Sequence, residues 1–462
     1  MRNEMLRHLG PLLGASSAIG RVGAARLFAT HTLSDGAPPE FSQREYAVFL
    51  LSMAAEIEHS LMVQYLYSAW SLGGSQVPEA HRADIETWRR SLLGIAKEEM
   101  GHLLTVQNLL RLLGGPTHLD REDFPWISGF YPFAFSLQPA SRQSIAKYVI
   151  AESPEVWPDS VSKSERDSIE KLASEDTGMQ VGRVGVLYQK LIAMVGDPHA
   201  LKDDDFRTGT YATQATFDDW GRGYAAGARG ATAGTAPDVL VLRAGNRAQA
   251  VYALKQIAEQ GEATQLLVAD QEDSHFMRFI EIWRGLDKAS GWSPSLPLPV
   301  NPTLPGPGVS GPIITNPESQ AWAAMFNLRY RMLLTWLGHA LNLGASDSSG
   351  EGVGKRGLAL NRVFTEMYFL KAIAGLLSRR PLASDPNQPA GPPFQMPYTL
   401  NLPADESAVW RLHLDLARAS LASAKTLPAS GADGEALLAA LKTNDLAAQA
   451  DIEAILGGGR RS

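Results

Sequence analysis

Apolar residues recur every three or four positions along most of the chain, and this spacing predicts helices rather than strands. Glycine, proline and small polar residues interrupt the pattern and mark where helices end. The predicted helices are residues 43–71, 82–113, 141–152, 164–195, 246–262, 271–288, 318–343, 356–379, 405–425 and 434–456. The run VLVLR at 239–243 fits either a short strand or an extended lead-in. The fold class is therefore predicted to be mainly α.

The breaks between helices suggest three regions. Residues 1–40 are predicted to be an N-terminal extension, because charged residues interrupt their short apolar patch. Residues 41–290 are predicted to form a helical bundle that contains an insertion at 115–245. The segment 290–317 is dense in proline and glycine and predicts a linker. Residues 291–462 are then predicted to be an additional C-terminal helical region.

The second predicted helix contains AKEEMGHLL, which places polar residues among leucines. On a helical wheel of about 100° per residue, Glu99 lies in the middle of the apolar arc, and His102 lies inside it, roughly 60° away. Glu98 falls at the edge of the arc. Glu99 and His102 are therefore predicted to point into the core, and Glu98 is not. A buried lone carboxylate is costly, so Glu99 requires a partner charge, hydrogen bonds or a metal.

The first predicted helix carries a similar carboxylate. Glu58 is at the centre of a face formed by Leu51, Met62 and other apolar residues. Glu56 lies nearly opposite, so the pair Glu56 and His59 is interpreted as a by-product of the helix rather than as a ligand pair.

Two later helices offer the remaining candidates. In QEDSHFMRFIEIWRGL, Glu272 lies within an apolar stripe, His275 flanks it three positions later, and Glu281 is predicted to be solvated. In AVYALKQIAEQGEA, Glu262 is preferred over Glu259 as an inward-facing carboxylate. Each motif alone is weak, since a glutamate and a histidine at this spacing often form a surface ion pair.

The four helices together are more specific than any one of them. In chain order they present Glu, then Glu-x-x-His, then Glu, then Glu-x-x-His, the ligand set of ferritin-like di-iron and di-manganese bundles. Carboxylates offset the charge of two divalent cations, and carboxylate with imidazole suits iron or manganese. About 130 residues separate the second and third helices, as one long crossover requires.

The sequence predicts a ferritin-like four-helix bundle that binds two iron ions, with manganese as the alternative. The predicted ligands, which are also the predicted catalytic residues, are Glu58, Glu99, His102, Glu262, Glu272 and His275.

Composition narrows the remaining classes of function. The net charge of -7 argues against nucleic acid as the main partner. The absence of cysteine excludes disulfides, zinc–thiolate sites and thiol nucleophiles. No apolar run approaches the roughly 20 residues of a membrane span, so a cytoplasmic protein without a membrane partner is expected. The oligomeric state is left open.

Several segments resemble a known family. AEIEHSLMVQYLYS, AKEEMGHLLTVQNLLRLLGG, IAEQGEA, DSHFMRFIEI and AGPPFQMPYTL occur in this order between about residues 40 and 425. They resemble the iminophenyl-pyruvate dimer synthase family, ferritin-like proteins of bis-indole pigment pathways. The resemblance implies oxidative chemistry on an amino-acid-derived imine or a related metabolite. It matches the predicted ligands, with Glu272 as the common acidic position before the histidine. Val186 and the longer polar region 196–236 depart from the family pattern, so the substrate stays open.

The sequence is compatible with three functions. The first is a dinuclear non-haem iron oxidoreductase in specialised metabolism, which uses dioxygen or peroxide on a small aromatic or imine substrate. The second is a ferroxidase or a manganese-catalase-like protein, and the third is a metal-free scaffold bundle. The aromatic residues at 124–135 either line a substrate pocket or pack over the bundle end. Tyr65 and Tyr67 either hydrogen-bond near the metals or only pack.

Overall fold

The structure is a computed structural model that divides into two compact units, with the described residues up to 296 in one and those from 297 onwards in the other. It describes residues 41–123, 131–175, 181–216, 219, 239–261, 274–289, 291–306, 311–344, 354–428 and 431–458. The predicted N-terminal extension lies outside these residues. The predicted domain limits at 40 and 290 stay predictions.

Helices dominate both units, as predicted. The N-terminal unit contains α1 (Gln43–Ser71), α2 (Arg82–Leu112), α3 (Arg142–Ala151), α4 (Lys163–Glu175), α5 (Gly185–Gly196), α6 (Arg247–Gly261) and α7 (His275–Leu286). Short 3-10 helices occupy Glu79–His81, Asp203–Asp205 and Thr208–Thr213. The C-terminal unit contains α8 (Pro317–Asn342), α9 (Lys355–Leu377), α10 (Glu406–Ala424) and α11 (Ala432–Gly458). Among the described residues, β-pairing is limited to isolated bridges.

The two longest helices of the N-terminal unit form an antiparallel hairpin. Ser42 caps α1 by accepting a hydrogen bond from the backbone N–H of Glu45, and the Glu45 carboxylate accepts one from the Ser42 N–H in return. Arg44 near the start of α1 donates to the carbonyl of Leu113 just after α2, at 3.2 Å. The middle of each helix therefore faces the middle of the other, and both middles are buried.

Shorter helices place their ends against the middle of this hairpin. Gly285 of α7 lies against Trp88, whereas His275 at its start lies beside Glu98, so α7 runs antiparallel to α2. Helices α5 and α6 are also antiparallel, because Arg247 at the start of α6 donates to the Val195 carbonyl near the end of α5. The start of α5, the end of α6 and the start of α7 consequently converge on one region.

The predicted helix at 164–195 is wrong as a single element. Helix α4 ends at Glu175 and α5 begins at Gly185, with non-helical backbone at 181–184. The physical reason is that this backbone hydrogen-bonds elsewhere, since the N–H of Gly182 donates to Pro132 and that of Val184 to Ala151. The helical periodicity on both sides concealed the interruption.

The predicted start of the last bundle helix is also wrong. The helix begins at His275 rather than at 271, because Ser274 adopts an extended conformation and its side chain caps the helix by accepting from the Met277 N–H at 3.2 Å. His275 is therefore the first residue of α7, not a residue one turn inside it.

The apolar run at 239–243 is an extended lead-in rather than a strand. Thr105 of α2 binds it on both sides, donating to the Leu240 carbonyl at 3.2 Å and accepting from the Leu242 N–H at 3.0 Å. A Cβ atom at Gly101 would lie 2.6 Å from the Leu240 carbonyl oxygen. Glycine at this position therefore lets the segment lie directly on α2.

The C-terminal unit is built from two helical hairpins, α8 with α9 and α10 with α11, that also pack on each other. Asn316 caps α8 through the N–H groups of Glu318 and Ser319, and Pro317 is its first residue. Arg329 of α8 is fully buried and donates to Glu366 of α9. It also donates to Ser420 of α10 and Asp445 of α11, so one polar group joins all four helices.

By length and composition, α1 could cross a membrane, with a mean hydropathy of 1.3 over its most apolar window. That window is 72% buried inside the protein, as expected for the core helix of a bundle. Its apolar character is thus accounted for by packing against α2.

Candidate metal centre

Three polar side chains meet where the middles of α1 and α2 face each other. Glu58 of α1 and Glu99 and His102 of α2 are each 1–2% exposed. The Nδ1 atom of His102 lies 3.0 Å from Glu99 Oε2 and 3.4 Å from Glu58 Oε2. The wheel prediction that these side chains point inward is confirmed by their burial.

A second group of three lies beside the first and shares Glu99 with it. His275 Nδ1 lies 3.0 Å from Glu99 Oε1 and 3.8 Å from Glu152 Oε2, and His275 and Glu152 are both buried. In each group the potential ligand atoms lie within 4.8 Å of one another, a spacing that one metal ion can span. Glu99 is therefore placed between two potential cation positions.

Both histidines present the same nitrogen to the centre. His102 Nε2 lies 2.8 Å from the amide oxygen of Gln260, and His275 Nε2 lies 2.9 Å from the carboxylate of Glu98. These oxygens only accept hydrogen bonds, so each Nε2 carries the proton and donates. The Nδ1 atoms then face the carboxylates, the orientation in which an imidazole binds a metal.

The prediction that Glu98 points away from the core is wrong. Its side chain is 8% exposed, and its carboxylate accepts hydrogen bonds from His275 and from Arg278. The wheel placed Glu98 at the edge of the apolar arc of α2, but α7 covers that edge and supplies two positively charged partners. Glu98 therefore holds the outer side of the His275 ring.

Burial and neighbouring charges shift the pKa values of the first group in opposite directions. Burial, together with the charge of Glu99, raises the pKa of Glu58 to about 8. Burial alone would lower the pKa of His102, but hydrogen bonds and charges of Glu58 and Glu99 outweigh it and raise this pKa to about 10. At neutral pH both groups therefore hold protons.

The pKa of Glu99, the carboxylate shared by the two groups, is shifted in the opposite direction from that of Glu58. Burial disfavours its charge, yet the positive charge of His275 and a hydrogen bond from His102 keep the pKa of Glu99 well below its usual range. Burial similarly opposes charge on His275, but Glu99, Glu152 and Glu98 raise its pKa well above the usual value. Protons on the histidines thus compensate the carboxylates, and a divalent cation that enters would displace such protons.

The residues present fit divalent metal ions. Glu58 Oε2, Glu99 Oε1 and His275 Nδ1 are buried, and although histidine nitrogens and carboxylate oxygens lie 3.0–3.4 Å apart here, none of these three atoms has a well-aligned hydrogen bond to a described residue. Such atoms are rare in protein interiors because leaving them unsatisfied is costly, and all three point into the same cluster. A set of carboxylate and imidazole donors without thiolate suits iron, manganese or zinc. A small cavity of about 20 Å³, enough for about one water molecule, adjoins the cluster and is lined in part by Glu58, Glu99, His102, Glu152 and Tyr188.

Four of the six predicted ligands are thereby brought together: Glu58, Glu99, His102 and His275. Glu262 and Glu272 lie outside the described residues. Glu259, the alternative to Glu262, is half-buried, accepts a hydrogen bond from Gln256 at 2.6 Å and belongs to neither group. The role of all six as metal ligands stays a prediction.

Four residues of the centre were not found from sequence spacing. Glu152 lies just after α3, in the insertion, and accepts a hydrogen bond from Tyr65 at 2.6 Å. Tyr188 of α5 donates to Glu58, and Gln260 and Glu98 hold the two histidines. Burial and the neighbouring carboxylates raise the pKa of both tyrosines well above 10, so they remain hydrogen-bond donors. The only sequence signal for Glu152 was an acidic residue directly after the apolar run of α3.

Other candidates lie away from the centre. Glu56 accepts hydrogen bonds from His118 and Tyr131, and His59 contacts the Leu119 carbonyl, so neither belongs to the cluster. Of the aromatic residues predicted at 124–135, Phe124, Trp126 and Phe130 lie outside the described residues. The others, Tyr131, Phe133 and Phe135, are buried and do not line the cavity. Glu281 is exposed, as predicted.

Comparison with known proteins agrees with this geometry. A family model described as ferritin-like matches residues 51–284, which is about half of the chain. The chain belongs to the ferritin-like family. The predicted fold class, a mainly α ferritin-like bundle with a long crossover and further C-terminal helices, is therefore confirmed.

One curated relative of this ferritin-like chain is dichlorochromopyrrolate synthase from Lentzea aerocolonigenes. The two are 29% identical over 340 residues, which is 66% of this chain and 31% of the relative. The chain thus spans about a third of the relative's length. A solved ferritin-like protein from Caulobacter vibrioides is 17% identical, with a TM-score of 0.43, over 72% of this chain and 96% of that one.

Proposed function

We propose that this protein is a dinuclear non-haem iron oxidoreductase that oxidises a small amino-acid-derived substrate with dioxygen or peroxide. The observation that carries the proposal is the sharing of Glu99 between two buried groups of ligand atoms. A single bound ion needs only one such group, whereas a carboxylate between two groups suits a pair of ions. Iron is proposed over manganese because Fe(II) held by carboxylates and imidazoles reacts readily with dioxygen, whereas Mn(II) with the same ligands does not.

The relative named above supports the type of reaction. Dichlorochromopyrrolate synthase is by its name a biosynthetic enzyme, and this chain is 29% identical to it over 340 residues. The motifs between about residues 40 and 425 also resemble those of the iminophenyl-pyruvate dimer synthases. We therefore propose an aromatic or imine substrate of specialised metabolism and a cytoplasmic location.

Some side chains of the centre would bind the metal ions, and others would hold those ligands in position. Glu58, Glu99, His102 and His275 would hold the metal ions, with Glu262 and Glu272 as further proposed ligands. Bound iron would supply electrons to the oxidant and accept them from the substrate. Tyr188 fixes the Glu58 carboxylate by donating a hydrogen bond, and Gln260 and Glu98 keep the Nδ1 atoms of the histidines directed inward. The buried, largely apolar surroundings keep bulk water from the reacting atoms.

Metal stoichiometry tests the proposal directly. Protein loaded anaerobically with Fe(II) and freed of excess metal should retain two irons per chain. Glu99→Gln should lose both, because the shared carboxylate is removed from both groups. The matched control is Glu281→Gln, an exposed glutamate on α7, which should retain two. A wild-type protein that retains no iron would overturn the proposal.

Activity assays separate this function from the alternatives. Oxygen consumption that depends on an added aromatic amino acid or its imine is expected for the oxidoreductase. Disproportionation of hydrogen peroxide by the manganese-loaded protein, without turnover of organic substrates, would favour a catalase. Unchanged or higher stability of Glu99→Ala in a protein that binds no metal would favour a scaffold.

A further inference from the structure

Glu152 comes from outside the helices that the ferritin-like ligand pattern uses. It is the residue directly after α3, inside the crossover between α2 and α6. Its side chain is nevertheless 5% exposed, and its Oε2 atom lies 3.8 Å from His275 Nδ1. A carboxylate at this depth must be compensated by a charge or by hydrogen bonds.

The surroundings of Glu152 reproduce those of Glu58 on the other side of Glu99. Oε1 of Glu58 accepts a hydrogen bond from Tyr188, and its Oε2 faces His102. Oε1 of Glu152 accepts a hydrogen bond from Tyr65, and its Oε2 faces His275. Each carboxylate thus has one oxygen fixed by a tyrosine and the other directed at the Nδ1 atom of a histidine.

We propose that Glu152 is the terminal carboxylate ligand of the second metal ion, so that the crossover completes the centre. The inference rests on the proposed function, because it assigns a ligand within the same two-metal site. In this arrangement Glu58 and Glu152 each bind one ion, Glu99 binds both, and His102 and His275 bind one each. Tyr65 is the positioning residue that directs Oε2 of Glu152 to the metal.

The end of α6 is shaped around this carboxylate. A Cβ atom at Gly261 would lie 2.9 Å from Glu152 Oε2, closer than side-chain atoms normally approach. Glycine therefore leaves room for the oxygen that faces His275. An alanine at 261 would displace that oxygen without removing any donor atom or charge from the centre.

The experiment measures metal binding rather than turnover. Wild-type protein and variants are titrated anaerobically with Fe(II), and separately with Co(II), whose visible ligand-field absorption reports each occupied position. Wild type should bind two ions, and Glu152→Gln should bind one at the same concentrations. Gly261→Ala should still bind the first ion but bind the second more weakly, and Tyr65→Phe should also weaken only the second.

A similar pair outside the centre provides the control. Glu56 accepts a hydrogen bond from Tyr131 at 2.6 Å, as Glu152 does from Tyr65, and Glu56 lies on α1, the helix that carries Tyr65. Glu56→Gln and Tyr131→Phe should bind two ions with wild-type affinity. Circular dichroism checks that each variant is folded, and Glu152→Asp, which keeps the charge but shortens the reach, covers a failure of Glu152→Gln to fold.

The possible results are distinct. Two ions in wild type and two in both Glu152→Gln and Gly261→Ala, with unchanged affinities, would overturn the role of Glu152 and leave the proposed function standing. No ions in wild type would overturn the proposed function and this inference with it. Loss of both ions in Glu152→Gln would assign it a shared position rather than the terminal one and would also overturn the inference as stated.

Discussion

Glu98 and Glu99 are neighbours in the chain, yet their carboxylates contact opposite sides of one imidazole ring. Glu99 Oε1 lies 3.0 Å from His275 Nδ1, and Glu98 Oε2 lies 2.9 Å from His275 Nε2. Burial opposes charge on Glu98, but His275 and Arg278 lower its pKa below the usual value, so it stays ionised. A charged acceptor on Nε2 makes the Nδ1 atom a stronger metal ligand.

Replacing Glu98 by Gln should therefore weaken metal binding without removing a metal position. The amide keeps a hydrogen-bond acceptor for His275 but loses the charge that orients and polarises the ring. We expect two ions per chain with about 10- to 100-fold lower affinity for one of them, the range found for such outer partners. Competitive titration with a chelator measures this affinity. Glu86→Gln, an exposed position on the same helix paired with Arg89, should leave both affinities unchanged. Equal affinities in all three proteins would contradict this role for Glu98.

At the scale of the helices, apolar periodicity predicted which segments are helical, whereas residues at the ends decide where each helix begins and stops. The bounds of α1 and α2 agree with the sequence pattern because Ser42 caps the start of α1 and glycines follow the end of each helix. The start of α7 was misplaced because the apolar stripe was extended back to Glu272, past the Ser274 cap. Glu152 and Glu98 were missed because their partners lie on helices distant in sequence. Glu58, Glu99 and His102 were found because a charge at the centre of an apolar face is visible on a wheel.

The glycine at 101 provides a test of how α2 is packed. Gly→Ala in a helix normally stabilises a protein by up to about 1 kcal/mol. A Cβ atom at Gly101, however, would lie 2.6 Å from the Leu240 carbonyl oxygen and 2.8 Å from Val239 Cγ1. Gly101→Ala should therefore destabilise the protein by about 1–3 kcal/mol, as overpacking does. Thermal unfolding followed by circular dichroism measures the effect.

The matched control for that substitution is on the same helix. A Cβ atom at Gly94 would meet only Arg278 Nη1, at 3.5 Å, which is an ordinary contact. Gly94→Ala should leave the unfolding temperature unchanged or raise it. If Gly101→Ala also raised it, the segment at 239–243 could not lie on α2 as the structure shows.

At the scale of the whole molecule, each unit buries charge in its helical core and compensates it differently. The N-terminal unit gathers several carboxylates and two histidines around positions that suit metal ions. The C-terminal unit supplies its own cation, since Arg329 donates to Glu366 and Asp445, and all three side chains are at most 1% exposed. One guanidinium faces two carboxylates, so a proton on one of them balances the charge. Glu366 is the carboxyl group whose environment favours that proton.

Burial, together with the charge of Asp445, raises the pKa of Glu366 to about 7 despite the opposing charges of Arg329 and Arg362. In the unfolded chain this pKa returns to about 4.5. Between these values the folded protein holds a proton that the unfolded chain has released, so the contribution of Glu366 to the free energy of unfolding falls as pH rises from 4.5 to 7 and is constant above it.

Glutamine cannot ionise, so Glu366→Gln should gain stability relative to wild type across this window, by at most roughly 3 kcal/mol. The difference between the unfolding temperatures of the two proteins, measured at several pH values, gives this change. Asp451→Asn, which removes a carboxylate that is 47% exposed and bonded to Arg362, is the control for loss of a charge beside the same cluster. A difference between wild type and Glu366→Gln that did not vary with pH would show that Glu366 is ionised throughout and that Arg329 fully compensates both carboxylates.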